Sequence, residues 1–287
     1  GMFRKVKKGI EKKGKWEKVQ KGIKISNFLR KFGIDIRQKL FAEVHEAVGT
    51  KLRLFVAGGA ALDPEVEKAF SDLGFTIYQG YGLTETSPVV AAEDDKYQRI
   101  GSIGKAFPSL EVKLADKDED GIGELMVKGP TVMLGYYNNE EENKKSFEDG
   151  WFKTGDYGYM EKDGFIWVTG RKKDIIVLKN GKNVYPQEIE FLINKIPYVE
   201  ESLVYSRDKS NTDTMLCAKI VYNEDEIKKA LGEKTEKEYK EKIWEEIKEI
   251  NKTLPVYKHI KSITITKEPL IKTTTQKVKR YEELKNV

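Results

Sequence analysis

The stretch 51–80 decides more about this fold than any other. "KLRLFVAGG" (51–59) is a short apolar run ending in glycines, "DPEVEKAFSDLG" (63–74) carries helix start and stop signals, and "FTIYQG" (75–80) is a second apolar run. Asp63 is the N-cap, Pro64 takes a first-turn position whose amide would have no partner, and Gly74 ends the helix. Strands joined through a helix lie parallel, because antiparallel neighbours need only a hairpin. The sequence therefore predicts a parallel α/β layer, with 51–57 as a short buried strand. Upstream, Ile36, Leu40, Phe41, Val44, Ala47 and Val48 fall on one face of a helix predicted over 36–48.

Near Gly101 the texture changes. "GSIGKAF", "EVKLAD", "DEDGIGELMVKG" and "GWFKTGDYGYMEKDGFIWVTG" alternate short strands with turn signals, which predicts an antiparallel, barrel-like subdomain. Asp163-Gly164 occupies the two-residue hairpin position. After Arg171 helices and strands mix. Pro186 opens a helix with Ile189, Leu192, Ile193 and Ile196 on one face, and "ESLVYS", "TMLCAKIVY" and "SITITKE" read as strands. Tyr239, Ile243, Ile247 and Ile250 stripe a charged helix that stops near Pro255. The expected class is α/β: a partial parallel α/β layer (1–100) and an antiparallel β-barrel-like subdomain (101–170), followed by a small α+β C-terminal domain (171–287). No internal repeat is present.

Composition excludes several functions. With 39% apolar and 34% charged residues, the 287-residue chain can bury a sizeable core and reads as well solvated rather than disordered. No apolar run reaches the roughly 18–20 residues a spanning helix needs, and the start lacks an apolar signal region. The single Cys217 rules out an internal disulfide and fits a reducing, cytoplasmic compartment. His45 and His259 lie far apart without cysteine company, so both read as structural or surface residues and not as zinc ligands. Residues 1–40 carry 14 Lys/Arg against 3 Asp/Glu, within a chain of net charge +5. Such a basic end attracts phosphate or an anionic membrane surface at the periphery, but a solvated lysine face is the more economical reading. Aromatics are not interleaved with these lysines as in nucleic-acid binders. Gly1-Met2 is compatible with an added start, the native start then lying upstream.

Two stretches imitate nucleotide motifs. "GIEKKGKW" (9–16) has Walker-like spacing, but Trp16 replaces the hydroxyl residue and no strand precedes it. "GYGLTE" (80–85) begins like a dinucleotide fingerprint but has Glu85 in place of the third glycine. Taken alone, Gly58-Gly59 reads as a tight turn, Thr84-Glu85 as a helix cap with an acid in its first turn, Asp156 as a β-turn aspartate, Asn180-Gly181 as a simple turn, and the C-terminal lysines as surface charge.

Their order changes the reading. "VAGGA" (56–60), "GYGLTE", "GELMVKGPTVMLGYY" (123–137), "GWFKTGD" (150–156), "GRKKDIIVLKNGKNVYPQEIE" (170–190) and "KTTTQKVKR" (272–280) follow one another along the chain. This series resembles the adenylate-forming (AMP-binding) superfamily of acyl-CoA ligases, adenylation domains and luciferases. "LFAEVHEAVGTKLRLFVAGGAALDPEV" most resembles its long-chain fatty acid–CoA ligase branch. The resemblance implies a two-step reaction. A carboxylate attacks the α-phosphate of ATP to give an acyl-adenylate, and the thiol of coenzyme A then displaces AMP. ATP, Mg2+ and coenzyme A are the expected cofactor and co-substrates, and a fatty acid the expected acid.

By motif match, Thr84 serves the α-phosphate and Glu85 holds magnesium, with Lys277 as the catalytic lysine. By the same match Tyr81 lies along the adenine and the Gly58-Gly59-Ala60 turn approaches its other side, with Gln79, Gly80 and Gly82 also binding the nucleotide. Asp156 takes the ribose hydroxyls, its two oxygens matching a vicinal diol, and Arg171 reaches ribose or phosphate. Lys173 is the implied hinge, about which the C-terminal domain swings to present either Lys277 or the coenzyme-A-side loop with Lys179, Asn180 and Gly181. The family usually has Gly before the lysine; Gln276 stands here, which leaves Lys279 as an alternative to Lys277. The Ser/Thr/Gly-rich loop ending in Lys, which the superfamily uses for the β- and γ-phosphates, has no counterpart in the sequence. The expectation is therefore a C-terminal part of a ligase, inactive alone, with an apolar sheet edge prone to self-association. The alternatives are a ligase for an aryl, short-chain or carrier-protein-bound acid, a luciferase-like oxygenase, and a non-catalytic adenylate-binding module.

Overall fold

A computed structural model describes residues 6, 9–11, 13–60, 62–210, 213–274 and 277–285. The chain divides into two compact units: residues 1–154 with 158–168, and residues 155–157 with 169–287.

Unit 1 opens with helices α1 (Trp16–Arg30), α2 (Arg37–Leu40) and α3 (Ala42–Val48). The helix predicted over 36–48 is thus broken at Phe41, whose ψ of 31° leaves the helical range. Phe41 and Val44 are buried, while Leu40 and Ala47 are exposed, so the predicted stripe is only partly used. Strand β1 (Leu54–Ala57), helix α4 (Pro64–Asp72) and strand β2 (Thr76–Tyr81) form the expected crossover, with Leu54 paired to Thr76 in parallel register. Asp63 caps α4 by accepting from Glu65 N at 2.7 Å, and Gly74 leaves it at φ 92°. Under this layer Phe55, Phe70 and Phe75 meet edge-on, and His45 stacks on Phe75 at 4.2 Å. β1 is not buried as expected: Val56 is 74% exposed. An apolar run marks a strand that can be covered on both faces, but among the described residues β1 has a strand on one side only.

Short strands β3 (Ala91–Ala92) and β4 (Lys105–Ala106) extend the sheet antiparallel beyond β2. The antiparallel half-barrel follows as β5 (Glu111–Ala115), β6 (Gly123–Lys128), helix α5 (Glu140–Ser146), β7 (Phe147–Glu148), β8 (Trp151–Met160) and β9 (Ile166–Arg171). Its order is β5-β6-β8-β7, with β9 also paired to β8. The turn before Phe165 has three residues rather than two. Gly164 N donates to Glu161 O at 2.9 Å, and Gly164 adopts φ 91°. This is the turn-plus-bulge form, in which the glycine takes the left-handed position after Asp163.

Unit 2 holds the ribbon β10 (Ile176–Val177) and β11 (Asn183–Val184), helix α6 (Pro186–Ile193), and strands β12 (Val199–Ser210) and β13 (Asp213–Tyr222). Helices α7 (Glu224–Leu231) and α8 (Glu236–Lys252), strand β14 (Ile260–Thr266) and helix α9 (Arg280–Leu284) complete it. The sheet β12-β13-β14 is antiparallel then parallel. Ile189, Ile193, Ile243 and Ile247, fully buried, join Ala218, Ile220 and Ile260 in one core. The striped helices were legible; α7 was not foreseen. The expected α/β class, with an antiparallel half-barrel and a small α+β domain, is the architecture observed. Among the described residues no helix is long and apolar enough to cross a membrane.

Candidate active site

In unit 1 the motif residues gather where β1 and β2 end. Gly59 adopts φ 80°, which disfavours any side chain there, and a Cβ on Gly58 would lie 3.4 Å from Gly80 O. Gly82 is a steric requirement: its Cβ would fall 1.7 Å from Pro88 O, because residues 83–88 fold straight back over it. Thr84–Thr86 form one 3-10 turn. The capping hydroxyl belongs to Thr86, which accepts from Leu83 N at 3.1 Å, rather than to Thr84. Thr84 is exposed and Glu85 half-buried. The simple helix-cap reading of Thr84 therefore fails.

Glu85 is held from a residue that motif reading left without a role. Tyr136 OH donates to Glu85 Oε1 at 3.1 Å, and Met133 N donates to Glu85 O at 2.8 Å. Asn143 fixes Tyr136 in turn, its Oδ1 accepting from Tyr136 N at 2.7 Å and its Nδ2 donating to Tyr136 O at 3.0 Å. Burial, and then the Glu85 carboxylate, push the Tyr136 phenol above its ordinary range, which keeps it a donor. The only sequence signal was the aromatic pair in "MLGYY".

Behind the cradle lies a buried acid pair. Gln79 N donates to Glu93 Oε2 at 2.9 Å, Gln79 Nε2 to Glu67 Oε2 at 2.9 Å, and Leu62 N to Gln79 Oε1 at 3.3 Å. Glu93 Oε1 also accepts from Arg99 N at 2.8 Å, and Glu67 Oε2 from Gly101 N at 3.0 Å. Gln79 therefore ties the chain just after the Gly58–Ala60 turn to β2. Burial drives the Glu93 carboxyl up to about 7, with the Glu67 charge adding to it against the two amides. Glu67 is raised by burial too. No motif in the sequence singles out either acid.

In unit 2, Asp156 is 3% exposed and pairs with Arg171 Nε at 3.0 Å. It sits within β8 and not in a turn, so it points from a rigid element. Lys173 is exposed in the 3-10 turn Lys172–Asp174. Lys179, Asn180 and Gly181 form the tip of the β10–β11 hairpin, with Gly181 N donating to Leu178 O at 2.8 Å. Gly181 has φ 79° and open space around it, so the turn alone explains the glycine. Lys277 is exposed and closes a small hairpin through Thr273 N to Lys277 O, 2.8 Å. Thr275 and Gln276, whose type bears on this loop, lie outside the described residues. His45 and His259 each meet a backbone oxygen, of Leu73 at 2.9 Å and Leu254 at 3.0 Å, as structural histidines do.

A model of the AMP-binding enzyme family matches residues 16–137, and one of the AMP-binding enzyme C-terminal domain matches residues 173–286. The long-chain-fatty-acid–CoA ligase FadD15 of Mycobacterium bovis is 41% identical over 165 residues, 58% of this chain and 27% of that protein. The 2-succinylbenzoate–CoA ligase of Listeria innocua is 35% identical over 231 residues, 80% of this chain and 45% of that protein. The o-succinylbenzoate CoA synthetase (MenE) of Bacillus subtilis, solved with the acyl-adenylate intermediate OSB-AMP, matches with TM-score 0.68 and 27% identity over 86% of this chain and 49% of that one. The same enzyme with ATP and a magnesium ion gives 0.65 and 29%, over 85% and 50%. The chain thus spans between about a quarter and a half of the proteins it matches. It belongs to the AMP-binding enzyme superfamily.

Proposed function

We propose that this chain carries the nucleotide-facing and mobile parts of an ATP-dependent acid–CoA ligase. The observation that supports this best is the Thr84–Glu85–Tyr136 corner, a hydroxyl and a fixed carboxylate raised on a turn that Gly82 and Thr86 make rigid. In the first step a carboxylate oxygen bonds to the α-phosphorus as the bond to pyrophosphate breaks. Charge grows on the phosphoryl oxygens, where the Thr84 hydroxyl and the Lys277 ammonium stabilise it. In the second step the sulfur of coenzyme A, losing its proton, bonds to the acyl carbon as AMP leaves. Asp156 holds the ribose diol, with Arg171 fixing the carboxylate that does so.

Glu85 offers one carboxylate beside the Thr84 hydroxyl, and among the described residues no cluster of three or more His, Cys, Asp or Glu could cage a metal. That set suits magnesium, which takes one or two carboxylates with phosphate oxygens and water. Bound there, the ion would neutralise charge on the phosphates.

A fatty acid is the acid we favour, supported by the stretch around "VAGGA" and the 41% identity to FadD15. An aromatic acid such as 2-succinylbenzoate is the second reading, supported by the longer match to the Listeria enzyme. The test is acid-dependent pyrophosphate release, with palmitate, octanoate and 2-succinylbenzoate in competition, by a longer chain that includes a phosphate loop. Absence of release with every one of these acids would refute the proposal. Lys277→Ala should abolish that release yet spare thioester formation from supplied acyl-adenylate; equal loss of both would mean Lys277 is misassigned. The 287-residue chain alone should show no ATP–pyrophosphate exchange, since its sequence lacks a β,γ-phosphate loop.

A further inference from the structure

The Lys277 hairpin is fastened to unit 2 at its base. Lys277 N donates to Thr273 Oγ1 at 3.1 Å and Lys279 N to Ile271 O at 2.8 Å, while Lys272 and Val278 form a β-bridge. Lys272 pairs with Glu201 of β12. Glu283 takes Lys219 of β13 at 2.7 Å and Ile271 N at 2.5 Å. The third fastening is Arg280, three residues beyond Lys277. Its Nη2 donates to Glu190 Oε1 and Oε2 at 2.6 and 2.5 Å, and its Nη1 to Val204 O at 3.1 Å. Its Nε lies 3.6 Å from Asp174 Oδ2, which also accepts from Gln187 Nε2 at 3.0 Å. Glu190 accepts from Val204 N at 2.7 Å. One guanidinium therefore joins α6, β12 and the turn Lys172–Asp174.

We propose that Arg280 is a positioning residue that locks the Lys277 hairpin to α6 and to the Lys172–Asp174 turn, so that the Lys277 ammonium moves as a rigid extension of that turn. The proposal rests on the ligase reading, in which Lys277 serves only the adenylation step. A lysine on a loose loop spreads its charge over many positions, and a misplacement of about 1 Å can cost about 100-fold in rate. A planar fork with fixed donors meets two carboxylates and a carbonyl in one orientation only. The site is also buried: Glu190 is 9% exposed, and a charge there must keep its partner. Burial raises the Glu190 carboxyl, with Arg280 and Val204 N opposing the rise. A lysine would supply the charge but not the three-way contact.

Hydrogen exchange on the 287-residue chain tests the fastening. Arg280→Lys, and Glu190→Gln as a second variant that preserves side-chain shape, should speed exchange of the Lys277 and Lys279 amides by about tenfold or more, and leave Ile220 and Ile263 in the sheet unchanged. In a longer, active chain the same variants should lower acid-dependent pyrophosphate release by about 10- to 100-fold at nearly constant KM for ATP. Thioester formation from supplied acyl-adenylate should not change. Unchanged hairpin exchange, or equal loss in both half-reactions, overturns the proposal. If such a longer chain releases no pyrophosphate, the ligase reading falls, and with it the role given to Lys277, whereas the exchange result still judges the fastening by itself.

Discussion

Replacing Glu67 with glutamine should make unit 1 less sensitive to alkali. Glu67 Oε2 accepts from both Gln79 Nε2 and Gly101 N, while among the described residues Oε1 has no partner. A glutamine can place its oxygen on the two donors and its NH2 at the unpartnered position, so every existing hydrogen bond survives and a buried charge is removed. In the native chain Glu93 titrates near 7 instead of an ordinary 4.5, and Glu67 is displaced in the same direction. The folded chain therefore holds protons that the unfolded chain releases. Their stabilising contribution is complete below about pH 4.5 and is lost as pH rises through 7. For Glu93 alone the loss is about 3 kcal/mol at about 1.4 kcal/mol per pH unit. Urea unfolding at pH 5, 6, 7 and 8 reads this, with Trp244→Phe in the background so that fluorescence comes from Trp16, Trp151 and Trp167 of unit 1. The native chain should lose about 3 kcal/mol across the series, and Glu67→Gln somewhat less, because the raised Glu67 carboxyl no longer titrates and Glu93, held up mainly by burial, loses only the smaller push of a second acid. A native midpoint that is flat or rises between pH 5 and 8 would show that these carboxylates are not the buried acids described. So would an unaltered slope in the variant.

The other predictions concern the site. Gly82→Ala, whose Cβ meets the Pro88 carbonyl oxygen at 1.7 Å, should destabilise unit 1 by at least about 2 kcal/mol in urea. Gly59→Ala meets only backbone strain at φ 80°, and should cost about 1 kcal/mol. Tyr136→Phe removes the donor to Glu85; stability should fall by no more than about 1 kcal/mol, while the magnesium needed for half-maximal pyrophosphate release by a longer chain should rise. Asp156→Asn keeps the shape of a buried residue but leaves Arg171 without its carboxylate, and should weaken ATP binding about tenfold or more in a competition assay.

What could be read from sequence was whatever depends on neighbours along the chain. Asp63, Pro64 and Gly74 set the crossover helix through local backbone chemistry, and it formed as expected. The isoleucine stripes of α6 and α8 worked because a helix face is a local property. Much of what sequence did not show needs distant partners. Burial of β1 depends on a strand beyond it. The fate of Glu67 depends on Gln79 and Gly101, and that of Glu85 on Tyr136, 51 residues away. The Asp163-Gly164 loop differed by one residue because the same dipeptide suits both a two-residue turn and a turn with a bulge. Residue types at the site were legible through their order, but the supports that aim them were not.

The hydroxyls of "TET" separate support from function, and their contrast is testable. Thr86 is fully buried; its hydroxyl accepts from Leu83 N at 3.1 Å and reaches Leu83 O at 2.9 Å and Pro88 O at 3.1 Å. Thr86→Val keeps the volume but takes its partner from the half-buried Leu83 amide, so unit 1 should lose about 1–3 kcal/mol. Thr84 lies exposed in the same turn. Thr84→Val should therefore leave the urea midpoint within about 0.5 kcal/mol, as surface substitutions do, and instead lower pyrophosphate release in a longer chain by about 10- to 100-fold through a lost transition-state donor. If Thr84→Val destabilises the fold as much as Thr86→Val, the exposed hydroxyl is part of the scaffold. The turn would then be a support for its neighbours, and the phosphate role of Thr84 would have to be abandoned.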